Sequence, residues 1–102
     1  MQQNEVEDIY FAVRPEMVPY IKTKWMHTSQ IELDEASSEL FRRKYPSLSD
    51  CSFFSIECRK NIELYNRFAS HMHNVILLEP KSMRDEISAY ISKAAANYLS
   101  IK

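Results

Sequence analysis

The chain has 102 residues, 45% of them hydrophobic, which is enough for one domain with a single packed core and no metal or disulfide staple. Thirteen Lys and Arg against fourteen Asp and Glu leave a formal charge of -1, so the overall balance announces neither a nucleic-acid nor a membrane partner. Glycine is absent where average usage would supply about seven; this disfavours the glycine-rich loops that cradle phosphates and dinucleotides, and no cofactor is expected.

Residues 5–13 begin acidic and end Ile9-Tyr10-Phe11-Ala12-Val13, a first strand with Ile9, Phe11 and Val13 on one face and Tyr10 and Ala12 on the other. Pro15 then opens a helix predicted to reach Met26, with Met17, Val18, Ile21 and Trp25 on one side. Pro19 would fall in its first turn, where no intrahelical partner is lost. Residues 29–33 alternate and predict a short second strand with Ile31 and Leu33 inward. Residues 34–50 are polar and read as an insertion, holding at most one helical turn around residues 38–44.

Residues 52–59 form the third strand, with Phe54, Ile56 and Cys58 on one face and Phe53, Ser55 and Glu57 on the other. Asn61 is the expected N-cap of a helix whose buried side carries Ile62, Leu64, Tyr65, Phe68, Ala69 and Met72. Asn74 is expected to take the left-handed turn that closes this helix. Val75-Ile76-Leu77-Leu78 then gives a fourth strand, apolar on both faces. Pro80 and a capping-box-like Ser82-x-x-Asp85 begin the last helix, with Met83, Ile87, Tyr90, Ile91, Ala94, Tyr98 and Ile101 in one stripe. The order predicts an α+β fold, a ferredoxin-like βαββαβ arrangement with an additional C-terminal helix. Phe11, Phe54, Ile56, Phe68 and Leu78 are the expected main core.

Three stretches taken together resemble one family: Arg14-Pro15-Glu16-Met17-Val18-Pro19-Tyr20 running to His27-Thr28-Ser29-Gln30, the central helix, and Val75-Ile76-Leu77-Leu78-Glu79-Pro80. They are similar to the C-terminal extension of bacterial WYL-domain transcriptional regulators, in which an H-x-S-Q stretch follows a Pro-started helix and L-E-P ends the final strand. The likeness spans residues 6–99, so residues 1–102 are taken as one such domain. Two features depart from the family pattern: the glycine before the last strand is missing, and the link at residues 34–50 is longer. The WYL barrel and winged helix-turn-helix are not in these 102 residues. The resemblance implies an accessory module that helps regulators dimerise and respond to a ligand, a nucleic acid or nucleotide in the context of a longer regulator.

Read as chemistry, the candidate residues are sparse. His27 and Ser29 lack an oriented acid partner, so a cap and turn role for His27, Ser29 and Gln30 is favoured over catalysis, with ligand contact as the second role. His71 and His73, two apart on a helix, point about 200° from each other and cannot chelate one ion, so no metal is expected. Arg42, Arg43 and Lys44 could meet phosphates, although adjacent charges in a polar link are commonly just solvated. Tyr10 and Phe53 could stack bases, as in RNA-recognition modules, against burial under the last helix or a partner. Cys51 and Cys58 fall on opposite strand faces roughly 20 Å apart and are expected to be buried free thiols, which with no signal peptide or long apolar span suits a reducing cytoplasm.

These readings favour a non-catalytic regulatory and dimerisation module. A fourth strand at the sheet edge, apolar on both faces, points to a homodimer interface at Val75, Leu77, Tyr98 and Leu99. The alternative is a single-stranded nucleic-acid binder using the sheet face. An acylphosphatase-like enzyme with Arg14 on phosphate is third, because the glycine-rich loop it needs is missing.

Overall fold

The computed structural model describes residues 5–101, apart from the side chain of Met72; the ends of the 1–102 domain span and the core position expected for Met72 lie outside it. Its elements are β1 (Val6–Val13), α1 (Val18–Thr23), β2 (Ile31–Glu32), α2 (Glu35–Lys44), β3 (Ser52–Arg59), α3 (Ile62–Ser70), β4 (Val75–Glu79) and α4 (Lys81–Ser100). The four strands make one antiparallel sheet in the order β2-β3-β1-β4. This α+β architecture is compatible with a ferredoxin-like arrangement, and β4 lies at an edge.

The pairing follows the alternation of the strands. Ile9 faces Ile56 and Phe11 faces Phe54 across β1 and β3, so the period-2 pattern brings both apolar sets to one side. There Phe11 stacks on Phe54 at 5.7 Å and meets the edge of Phe68 from α3 at 5.3 Å. Ile21 of α1, Leu64 and Tyr65 of α3, Val75 and Leu77 of β4, and Met83 and Ile87 of α4 complete this first core. All five expected core residues are buried, although Leu78 belongs to the opposite face.

That opposite face carries the main correction to the sequence reading. Residues 34–50 are no loose insertion: α2 is a full ten-residue helix, capped by Asp34, whose side chain accepts from the Ser37 N–H at 2.8 Å. It lies against the sheet with Phe41 and Tyr45, and a 3₁₀ turn at Pro46–Leu48 adds Leu48. Together they cover Ala12, Cys51, Phe53 and Leu78 in a second core. The fold therefore has three layers, with the sheet between α2 and the group α1, α3 and α4. A register shift between β1 and β4 aligns Glu79 with Tyr10, turning Glu79 towards α2, where it accepts from Lys44 Nζ at 2.7 Å and Tyr45 Oη at 3.4 Å.

Other boundaries moved for local reasons. A 3₁₀ turn at Pro15–Met17 precedes α1, and Pro19 lies in the first turn of α1, which ends at Thr23; Trp25 is accordingly off the helix and 55% exposed, while Met26 takes the buried position. β2 is only two residues long, and Ile31 points outward at 60% exposure. Asn61 caps α3 as expected, accepting from the Leu64 N–H. His71 closes α3 at φ -89°, so the chain leaves through a 3₁₀ turn at Met72–Asn74 and not through a left-handed Asn74. Pro80, after a cis bond from Glu79, occupies the N-cap of α4 without a side-chain cap; Asp85 pairs with Lys81, one turn back, in place of Ser82.

Candidate functional site

The His27-Thr28-Ser29-Gln30 stretch is a clasp between α1 and the sheet edge. Gln30 accepts from the Met26 N–H at 2.9 Å and donates to Ile21 O at 3.1 Å, closing the end of α1. The Ser29 hydroxyl accepts from the Glu57 N–H at 2.7 Å and lies 3.1 Å from Glu57 O, filling the edge of β3 where β2 is too short to pair. His27 Nδ1 lies 2.8 Å from that hydroxyl and accepts from the Ser29 N–H at 3.2 Å. These contacts engage the hydroxyl in joining two elements, the arrangement of a turn and cap.

Beside this clasp lies a recess of about 640 Å³ whose wall includes Tyr20, Lys24, Trp25, His27, Arg67 and His71. Arg67 of α3 donates to Met26 O at 2.9 Å, tying the recess floor to the clasp. The Trp25 indole N–H donates to Lys22 O at 2.9 Å, which fixes the ring while leaving it exposed. Tyr20 meets His71 edge to face at 5.8 Å. Burial, and then the neighbouring Arg67 charge, holds the His71 pKa below its ordinary value. The sequence reading gave His27 ligand contact only as a second role after a cap and turn, and it missed Trp25, because it assigned that residue to the buried stripe of a longer helix.

The basic triplet and the aromatic pair do not converge on an open sheet face. Arg42 donates to Glu35 at 2.9 Å and lies over the Phe53 ring at 5.9 Å; Arg43 pairs with Glu39 and Lys44 with Glu79. All three charges are compensated within the fold, which weakens the phosphate-contact reading. Phe53 is 1% exposed and Tyr10 is half-buried, both packed on Phe41 at 5.6 and 5.4 Å. A base cannot stack on Phe53 while α2 is in place, and the covering element is neither the last helix nor a partner but the segment first read as an insertion.

The interface residues inferred from sequence separate into two groups. Val75 and Leu77 are buried in the first core, and Ile76 and Leu78 pack beneath α2, so both faces of β4 are already occupied within the chain. Tyr98 and Leu99 are 74% and 67% exposed. From residue 88 onward α4 has no buried position among the described residues, although the stripe begun by Met83 and Ile87 continues through Tyr90, Ile91, Ala94, Tyr98 and Ile101. Tyr90 donates to Asn66 of α3, and beyond that contact a groove opens between α3 and α4 along Ala69, Ile91, Ala94 and Tyr98.

Cys51 lies in the second core and Cys58 against the first, so the two thiols occupy opposite faces, with Cys58 only partly buried. Among the described residues, no group of three or more His, Cys, Asp and Glu side chains is placed to hold a metal ion, and no helix is long and apolar enough to cross a membrane. Compared with protein-family models, curated proteins and solved structures, the chain finds no match in any of the three.

Proposed function

We propose that this chain is a non-catalytic regulatory and dimerisation module with a ferredoxin-like arrangement, similar to the C-terminal extension of WYL-type transcriptional regulators and working in the cytoplasm. The observation that carries the reading is the outer half of α4. A soluble helix ordinarily turns an apolar stripe towards a core and charges towards water. Residues 88–101 keep the stripe, carry Lys93 as their single charge, and have no core beneath them. The radius of gyration is 14.1 Å, against about 13 Å for a compact chain of this length, as a projecting helix would produce.

Tyr90, Ile91, Tyr98, Leu99 and Ile101 are all exposed there, and large side chains of this kind together present on the order of 600 Å² of apolar surface. A standard interface takes roughly 800 Å² per partner, which the adjoining Ala94, Ala95 and Ala96 help to supply. Alanines let two helices approach closely, so a second copy of α4 fits the requirement. The interface thus moves from Val75 and Leu77 to the outer half of α4, keeping Tyr98 on the stripe and Leu99 beside it.

Light scattering across the micromolar range should give twice the mass of one chain. Tyr98→Glu should return the single-chain mass with an unchanged far-UV circular dichroism spectrum, because Tyr98 contributes nothing to either core, while the wild type's melting temperature, and not the variant's, should rise with concentration. A wild-type monomer at about 100 μM, a concentration at which even modest interfaces assemble, would refute self-association.

A further inference from the structure

We propose that the recess between α1 and α3 is a binding site for a mononucleotide, with the base on Trp25 and the phosphate held by Lys24 and Arg67. The site is separate from the α4 stripe and does not depend on self-association. Its residues come from two elements far apart in sequence, and the clasp at His27-Thr28-Ser29-Gln30 brings them together.

Trp25 is the single tryptophan of the chain and is 55% exposed in the irregular segment after α1. Its only polar atom is already satisfied by Lys22 O at 2.9 Å, so the ring is held in place with surface to spare. An indole fixed in this way offers a stacking surface whose ordering cost has already been met by the fold. Tyr20 and His71, edge to face across the recess, add a second aromatic wall.

The charges on that wall are of one sign. Lys24 and Arg67 line the recess, and no Asp or Glu is among its described lining residues. Arg67 uses Nη1 on Met26 O, which orients the guanidinium and leaves its other N–H groups for a ligand. This differs from the triplet at residues 42–44, where each cation has a carboxylate partner within the chain. Uncompensated cations beside a fixed aromatic ring select an aromatic ligand that carries an anion of more than one charge, which a nucleoside phosphate satisfies and a neutral aromatic does not. A volume of about 640 Å³ lies within the range of small-ligand sites, roughly 300–1,000 Å³.

Because Trp25 is the chain's only tryptophan, its fluorescence reports directly on the site. Titration with adenosine monophosphate should quench the emission saturably. Adenosine should bind at least about tenfold more weakly, as loss of a charge-assisted contact predicts. Lys24→Gln and Arg67→Gln should each weaken binding by a similar factor, and Lys24→Gln, being at an exposed position, should leave the thermal melt unchanged. Calorimetry on Trp25→Leu should show the stacking loss without the fluorophore. Absence of saturable quenching up to millimolar nucleotide, or equal affinity for adenosine, would overturn the proposal. So would a short single-stranded oligonucleotide binding far more tightly than the mononucleotide, with a salt slope that needs several phosphates, since the site would then belong to a polymer.

Discussion

The two faces of the sheet are built from the same strands but closed in different ways. On the first, three helices bring Ile21, Leu64, Phe68, Met83 and Ile87 against Ile9, Phe11, Phe54 and Ile56. On the second, one ten-residue helix and a 3₁₀ turn cover Ala12, Phe53 and Leu78, largely through Phe41, Tyr45 and Leu48. The first face is held by burial from many directions. The second combines a thinner apolar layer with polar ties at its rim, from Lys44 and Tyr45 to Glu79 and from Arg84 to Tyr45 Oη at 3.0 Å. Global stability should therefore reside on the first face, and local opening on the second.

Phe68→Ala gives the largest expected effect, because the ring is 1% exposed and packed edge-on to Phe11. The change should cost about 3–5 kcal/mol, a large share of the stability of a domain this size. Urea unfolding should show it as a lower midpoint with one cooperative transition. A shift below about 1 kcal/mol would mean that the first face does not dominate the fold.

Phe41→Ala should cost less, about 1–2 kcal/mol, because Phe41 is only partly buried. Its effect should also be local. Hydrogen exchange should accelerate across residues 35–44 while the amides of β1 and β3 keep their protection, and Phe53 and Tyr10 should become accessible. Uniform acceleration over the whole sheet would show that the two faces unfold as one unit, and the distinction between them would fail.

The same contrast explains how much of the molecule the sequence discloses. Strands β1 and β3 carry apolar residues at a clear period of 2 and helix α3 at 3.6, and the first core follows these patterns apart from Ile62, which is exposed; β4 is legible as an unbroken apolar run. The cover of the second face does not announce itself, because α2 buries only Ser38 fully and exposes Leu40 at 66%. Its apolar contribution reduces to Phe41 and Tyr45, four apart, in a segment of ion pairs whose partners are set by tertiary structure. Trp25 failed for a different reason: helical spacing placed it on a stripe, but the helix ends at Thr23. The His27-Thr28-Ser29-Gln30 turn was legible in type, since short polar side chains at such positions bond nearby backbone; its partner at Glu57, twenty-eight residues away from Ser29, was not. The outer half of α4 was legible as a stripe and illegible as a surface, because periodicity records which residues share a face and is silent about what lies opposite.

The smallest expected effect separates the two faces by pH. His71 closes α3 at the rim of the first face, beside Arg67 and edge-on to Tyr20. Burial and the Arg67 charge both disfavour its protonated form in the native state. Above the unfolded value near 6.5 the ring is neutral in both states, and the contribution is fully present. As the pH falls below that value the unfolded chain takes up a proton that the native chain resists, so stability declines until the folded pKa is passed. Lys44 on the second face stays charged throughout this window, since Glu79 raises its pKa above the ordinary lysine value. Urea midpoints at pH 7.5 and 5.0 should therefore fall further for the wild type than for His71→Gln, while hydrogen exchange in residues 35–44 responds alike in both proteins. Equal pH slopes for the two would remove His71 as the source of acid sensitivity, and a selective loosening of residues 35–44 in the wild type would place that sensitivity on the second face.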